Sequence, residues 1–372
     1  MLKRLVAVVA ALVDVGGLQV PRGGVASTKL CRAGRKAAVM AAVVIAVGAC
    51  GDNSQGGLSP LRQSSHPMPS SGAGWKDFVR PSSTSGCPSG PCSDILAQVR
   101  KGATTITVPA DVTPSIEDAA KDLRVPEGGN CSQLLVAGLD RAYQPCLFDA
   151  GAPPTAPVII VIGDSRAAMW SLAFSKLASQ LGYRFGLVYR AGCSMPRVEH
   201  PAGGGTSEEE CKAWKDAAIN WVNQQNPAVV LVASGPDLPD VGVTPALLTT
   251  GYAATLKELQ APARKLFVLG EVPHLQQNPP ACLAAHLSSA KACATPTSSA
   301  TSADEQQADL HAAQQAGAGY VNLTPWLCTE DLCPAIVGNY LPYLDQLHLN
   351  QTFTEALIPV LQQAIKIGAW PR

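Results

Sequence analysis

Ser165, Asp345 and His348 carry the side chains of a serine nucleophile, its base and an orienting acid. Ser165 lies in PVIIVIGDSRAAMW, residues 157–170, where an apolar, β-branched run meets Gly163-Asp164-Ser165 and then a helix-forming series. That order reads as strand, sharp turn and helix, with the serine at the turn. A hydroxyl there sits at the carboxyl end of a sheet, and its own N–H faces, with the helix N-terminus, the place where an oxyanion develops. Such a serine needs a base within hydrogen-bond reach and a third group to hold that base. His348 stands in YLDQLHL, residues 343–349, just before the last predicted helix, and Asp345 three residues earlier can fold its carboxylate onto Nδ1. Each motif alone also has a plain structural reading, as a helix cap or a turn former. Together, on the first strand and before the last helix of one pattern, they supply a nucleophile, a base and an orienting group.

The elements that must position these residues follow from alternation. Short apolar strands are expected at 158–162, 185–189, 228–233, 265–269 and 319–323. Amphipathic helices fill the gaps near 167–181, 208–224, 245–260, 303–316 and 352–366. This is the signature of a parallel α/β sheet and predicts a three-layer, flavodoxin-like domain with a five-stranded parallel sheet. Ligands of such sheets bind at the carboxyl ends of the strands, where Ser165 stands. Upstream, the pattern predicts a helix over Asp94–Lys101, a strand over Thr104–Val108 and a helix over Ser115–Leu123. The long stretch 271–301 after the fourth strand reads equally as a binding loop or as a disulfide-pinned surface excursion.

Composition bounds the class. A chain of 372 residues, 47% hydrophobic and 15% charged, can bury a sizeable core. Residues 1–49 carry seven basic groups and one acid, leaving 21 basic and 27 acidic residues, a charge of −6, in the remainder. No basic stripe with interleaved aromatics offers a footprint for nucleic acid, and nothing implies a cofactor. Arg32, Arg35 and Lys36 precede an apolar run, Ala37–Ala49, too short to span a bilayer and right for a signal-peptide core. It ends in Val47-Gly48-Ala49-Cys50, which resembles a bacterial lipoprotein box with Cys50 as the lipid-bearing residue; an ordinary signal peptide or uncleaved anchor is the alternative. The earlier apolar stretch Leu5–Val20, broken by Asp14, points to a start codon downstream of Met1. From Gly51 to about Cys92 the chain is Ser/Gly/Pro-rich and reads as a tether. The expected organisation is therefore an export segment at 1–49, a tether and N-terminal extension at 50–112, and the catalytic domain at 113–372. Membrane contact is expected through the lipid anchor only, in an extracytoplasmic location.

The cysteines agree with export. Ten fall in near neighbours, Cys87/Cys92, Cys131/Cys146, Cys193/Cys211, Cys282/Cys293 and Cys328/Cys333, and five local disulfides are the economical reading, although spacing leaves connectivity open. The close C-x-x-C spacing with paired histidines typical of zinc clusters is missing.

These features resemble the SGNH hydrolase superfamily, and more closely the SGNH domain that follows the acyltransferase-3 membrane domain in bacterial cell-surface glycan acyltransferases. The resemblance runs from about Thr113 to Ile367 and rests on GDSRAAMW, AGCSMP with Cys193, Cys211-x-x-Trp214, VPH with Cys282 and Cys293, the Cys328/Cys333 pair and LDQLHLN. It implies that Ser165 attacks an acyl carbonyl, His348 relays protons, Asp345 orients the imidazole, and Gly192 adds a backbone N–H to an oxyanion hole beside Ser165. Two positions depart from the pattern. Arg166 stands where the subfamily usually has histidine, and serves either to bind an anionic substrate or to pair structurally. The oxyanion-hole asparagine is replaced by Ala233-Ser234-Gly235-Pro236-Asp237, so either Ser234, a main-chain N–H such as that of Gly235, or water takes its place, or catalysis is weaker.

The expected function is an extracytoplasmic serine esterase or O-acyltransferase acting on O-acyl, chiefly O-acetyl, groups of an envelope glycan or glycolipid. The alternative is a catalytically degenerate SGNH domain that binds glycan or docks on a separate membrane acyltransferase. His274 is a candidate substrate contact, while His66, His200, His286 and His311 read as solvated, and Trp170 and Trp214 as core.

Overall fold

The computed structural model describes residues 89–131, 144–198, 207–235 and 243–366. The export segment, Cys50 and the Ser/Gly/Pro-rich stretch before residue 89 lie outside the described residues. Seven strands form the main sheet: β1 (Asn130–Cys131), β2 (Cys146–Phe148), β3 (Val158–Gly163), β4 (Arg184–Tyr189), β5 (Val229–Ala233), β6 (Lys265–Leu269) and β8 (Gly319–Val321). Their order is β1-β2-β4-β3-β5-β6-β8. The five expected strands are its parallel part, and β1 and β2 extend the β4 edge antiparallel. These two were missed because segments of two and three residues are too short to show a period. A separate two-stranded ladder joins β7 (Thr295–Pro296) to β9 (Leu332–Cys333).

Strand β3 is buried along its whole length, as a central parallel strand must be when both faces are covered. Its period-2 alternation divides the two cores. Ile159 and Val161 face one cluster with Trp170, Phe174 and Phe353, while Ile160 and Ile162 face another with Trp214, Tyr252 and Leu256. The first cluster is covered by α1 (Pro91–Thr104), α3 (Ser165–Leu181), α9 (Gln351–Ala356) and α10 (Ile358–Ala364). The second is covered by α4 (Glu208–Gln224), α5 (Pro245–Leu259) and α8 (Ala303–Gln315). Three short helices, α2 (Ile116–Ala119), α6 (Pro279–Ala285) and α7 (Thr297–Ala300), decorate the loops.

Three expectations are corrected. The predicted strand at Thr104–Val108 does not form: Thr105 N–H closes the end of α1 on Gly102 O, and Val108 N–H bonds to Leu287 O. The stretch read as tether up to Cys92 overlaps α1, which buries Cys92, Ile95 and Val99 against the sheet core because those residues share one helical face. The last helix is two helices, broken at Leu357, since Pro359 supplies no N–H and fits only a first turn. Among the described residues, no helix is long and apolar enough to cross a membrane.

Parallel register sets the site. Gly163 is level with Tyr189 on β4 and with Ala233 on β5, so the segments leaving these three strands emerge side by side next to Ser165.

Candidate active site

Ser165 is the first residue of α3, and Asp164 before it caps the helix, its Oδ1 accepting from Arg166 N at 2.9 Å. The cap holds the serine at the helix N-terminus, at the end of a rigid buried strand. His348 Nε2 lies 2.8 Å from Ser165 Oγ, and His348 Nδ1 lies 2.8 Å from Asp345 Oδ2. With Nδ1–H donating to the carboxylate, Nε2 presents its lone pair to the hydroxyl. Asp345 Oδ1 accepts from the N–H groups of Leu347 and His348 at 2.9 and 2.8 Å. Burial pushes the Asp345 carboxyl up, but the His348 hydrogen bond and these N–H donors outweigh it, so the group sits below its ordinary value.

The loop carrying His348 is closed on itself and on the sheet. Leu344 N–H donates to His348 O, and Asn350 caps α9 while its Nδ2 donates to Leu341 O at 2.6 Å. Tyr343 Oη donates to Pro273 O at 3.1 Å and Leu275 N–H to Gln346 O at 2.8 Å, joining this loop to the segment after β6. The loop that carries the imidazole is thus fixed by its own hydrogen bonds and by one segment about 70 residues away in sequence.

Gly192 follows β4 with φ 74°, the left-handed region that costs glycine least. Its segment is braced by the Cys193–Cys211 disulfide, by Met195 N–H donating to Ser234 Oγ, and by Lys215 Nζ donating to Pro196 O at 2.7 Å. Burial, with Arg197 nearby, lowers the Lys215 ammonium to about 8. Neither the Ser165 nor the Gly192 N–H has a partner among the described residues.

Gly235 does not fit the role of a third oxyanion donor. Its N–H is spent on Asp164 Oδ2 at 3.2 Å, and its carbonyl accepts from Arg166 Nη1 at 2.7 Å. Ser234 is spent likewise: its hydroxyl donates to Asp164 Oδ2 at 2.8 Å and accepts from Met195 N at 2.8 Å. Residues 236–242 lie outside the described residues.

Arg166 takes the structural role of the two foreseen. Its side chain is 7% exposed, with Nη1 3.4 Å from Asp164 Oδ2 and Nε 3.1 Å from Glu271 Oε2. Nη2 lies 3.5 Å from His274 Nε2. One guanidinium therefore ties together the ends of β3, β5 and β6. Glu271, which sequence reasoning passed over, lies against Gly235 so closely that a Cβ there would overlap its carboxylate. The one available signal was its position two residues after the end of a parallel strand. Asp309 on α8, also passed over, is fully buried; burial, then the neighbouring Glu271, raises its carboxyl well above the ordinary range.

Disulfides join Cys193 to Cys211, Cys282 to Cys293 and Cys328 to Cys333. Cys92 and Cys146 are also disulfide-bonded, while Cys87 and the Cys131 side chain lie outside the described residues. Cys282, His286 and Cys293 present ligand atoms within 4.8 Å of one another, but the two sulfurs are bonded together and are not thiolate ligands. His66 and His200 lie outside the described residues, and His286 Nδ1 is 2.9 Å from Cys282 O.

Five parallel strands between two helical layers, with a serine at the end of the central strand, define an SGNH-type α/β domain. The family described as the SGNH domain fused to acyltransferase-3 (AT3) domains matches residues 130–363, and the chain belongs to that family. It is accordingly a hydrolase or acyltransferase. No curated protein matches the chain in sequence. The periplasmic domain of a lipopolysaccharide acetyltransferase from Salmonella ser. Paratyphi A is similar at 20% identity and a TM-score of 0.46, over 58% of this chain and 84% of that one. The crystal structure of TesA is similar at 18% identity and a TM-score of 0.26, over 44% of this chain and 76% of that one.

Proposed function

We propose that the chain is an extracytoplasmic serine esterase or O-acyltransferase that moves O-acyl groups, chiefly acetyl, on an envelope glycan or glycolipid. The observation that carries this reading is the unbroken chain from Ser165 Oγ through His348 to Asp345, with both contacts at 2.8 Å. Ser165 Oγ attacks the acyl carbonyl while His348 Nε2 takes its proton, and the imidazolium is stabilised by Asp345. The oxyanion is met by the N–H groups of Ser165 and Gly192. His348 then returns the proton to the leaving alkoxide, and a sugar hydroxyl or water repeats the sequence in reverse to release the acyl group. The paired cysteines support an oxidising compartment, Cys50 supplies the anchor in this reading, and a separate membrane acyltransferase is the partner that the family's AT3 fusion favours.

The test is direct. Ser165→Ala is expected to abolish turnover of an aryl acetate and labelling by a serine-directed phosphonate; equal labelling of wild type and variant would sink the reading. The commitment of Gly235 N–H and Ser234 Oγ to Asp164 favours the degenerate binding module as the second reading. Glycan binding by a wild-type protein that takes no phosphonate would support that alternative instead.

A further inference from the structure

The contact between Ser165 and His348 joins residues 183 apart in sequence, so the elements that carry them must be held in register. Ser165 opens α3, and Ala168 and Met169 stand one helical turn along the same face. His348 lies just before α9, whose first residue is Gln351. Gln351 Nε2 donates to Ala168 O at 3.1 Å, and Thr354 Oγ1 donates to Met169 O at 3.1 Å. Leu349 N–H, next to His348, points at Met169 Sδ at 3.4 Å. The Gln351 amide also donates to Arg124 O at 2.9 Å. Asp122 accepts from Gln351 N–H with its carbonyl and from Thr352 N–H with Oδ2, both at 2.9 Å, so residues 122–124 strap the start of α9 onto α3.

Burial ranks these contacts above the others between the two helices. Gln351 and Thr354 are fully buried and Met169 nearly so, which shields their bonds from water. The Lys176–Glu355 pair, farther along α3, has side chains 57% and 30% exposed and holds position weakly. Packing of Phe353 into the core is non-directional, whereas hydrogen bonds fix register. Gln351 Oε1 is buried without a partner among the described residues, so the amide acts through its two donated bonds. We propose that Gln351, assisted by Thr354, is a positioning residue: by fixing α9 to α3 one turn from Ser165, it sets the separation of His348 Nε2 and Ser165 Oγ. The inference rests on the acyl-transfer reading above and adds to it a residue outside the Ser165/His348/Asp345 set.

Gln351→Met keeps an unbranched side chain of similar length and removes both donated bonds together with the unpaired Oε1. Ala168 O keeps its helical partner inside α3, so the fold is expected to hold, as checked by urea unfolding. Its kcat for an aryl acetate is expected to fall on the order of 100-fold with KM unchanged, the scale of a misplacement of about 1 Å. Thr354→Val is expected to lower kcat about tenfold, the equivalent of one net hydrogen bond, and Thr354→Ser to restore it. A second readout needs no turnover. The NMR shift of His348 Nε2 reports its contact with Ser165, and Ser165→Ala marks the value with that contact gone. In Gln351→Met and Thr354→Val the shift is expected to move toward the Ser165→Ala value in fully folded protein. A wild-type shift in both variants, a wild-type kcat in both, or a loss confined to KM overturns the positioning role. Displaced shifts in variants of a protein whose wild type turns over no aryl acetate uphold the positioning role and count against the catalytic reading alone. If Gln351→Met does not fold, Thr354→Val decides by the same readouts.

Discussion

In the proposed mechanism His348 works only in one orientation, and Asp345 supplies it. Asp345→Asn keeps the shape but can donate toward Nδ1, favouring the wrong tautomer at Nε2. Turnover of an aryl acetate is expected to fall on the order of 10⁴-fold with little change in KM, as measured by steady-state kinetics. The direction of the Asp345 shift also sets a pH dependence. Because the folded carboxyl sits below its ordinary value, the folded state binds this proton less readily than the unfolded chain. The stability it contributes is complete above about pH 4 and is lost as pH falls through the folded value. The acid limb of urea unfolding should therefore be shallower in Asp345→Asn than in wild type.

Among the elements, the end of β5 is the place where one atom matters most. Ser234 and Gly235 both bond to Asp164, and Glu271 from the end of β6 packs on Gly235 with Arg166 held between. A Cβ at position 235 must push Glu271 aside, loosening the guanidinium clamp beside the nucleophile. Gly235→Ala is expected to lower kcat on the order of 100-fold, the scale of a misplacement of about 1 Å at the reacting groups. A matching loss in Glu271→Gln, measured with the same substrate, would assign the effect to the clamp rather than to β5. Wild-type kcat in Gly235→Ala would show that Glu271 moves freely and that the clamp does not position Ser165.

For the whole molecule, the cysteine framework holds segments that carry little secondary structure of their own. Cys193–Cys211 spans 18 residues and braces the turn at Gly192, so replacing both cysteines by alanine is expected to cost about 3 kcal/mol in urea unfolding. The same variant should lose activity beyond that explained by its unfolded fraction, whereas loss of the Cys328–Cys333 bridge, spanning 5 residues, should cost stability alone. Much of this protein was legible without tertiary information. The strand at 158–162, the serine at its end and the Asp345/His348 pair are local patterns of period, turn and spacing, and they reappear as β3, the first turn of α3 and the loop before α9. Hydrogen bonding across the fold was not legible. Gly235 looked like a donor because sequence shows that an N–H exists, not what it already bonds; its partner, Asp164, is 71 residues away. Arg166, Glu271 and Asp309 acquired their places in the same way, since a buried charge is defined by neighbours that only the packed sheet brings together. Local periodicity determined the strands and the turn at Ser165 by itself, because each is written within a few residues; tertiary packing decided that His348, 183 residues away, stands beside Ser165, which donors remain free and what surrounds them.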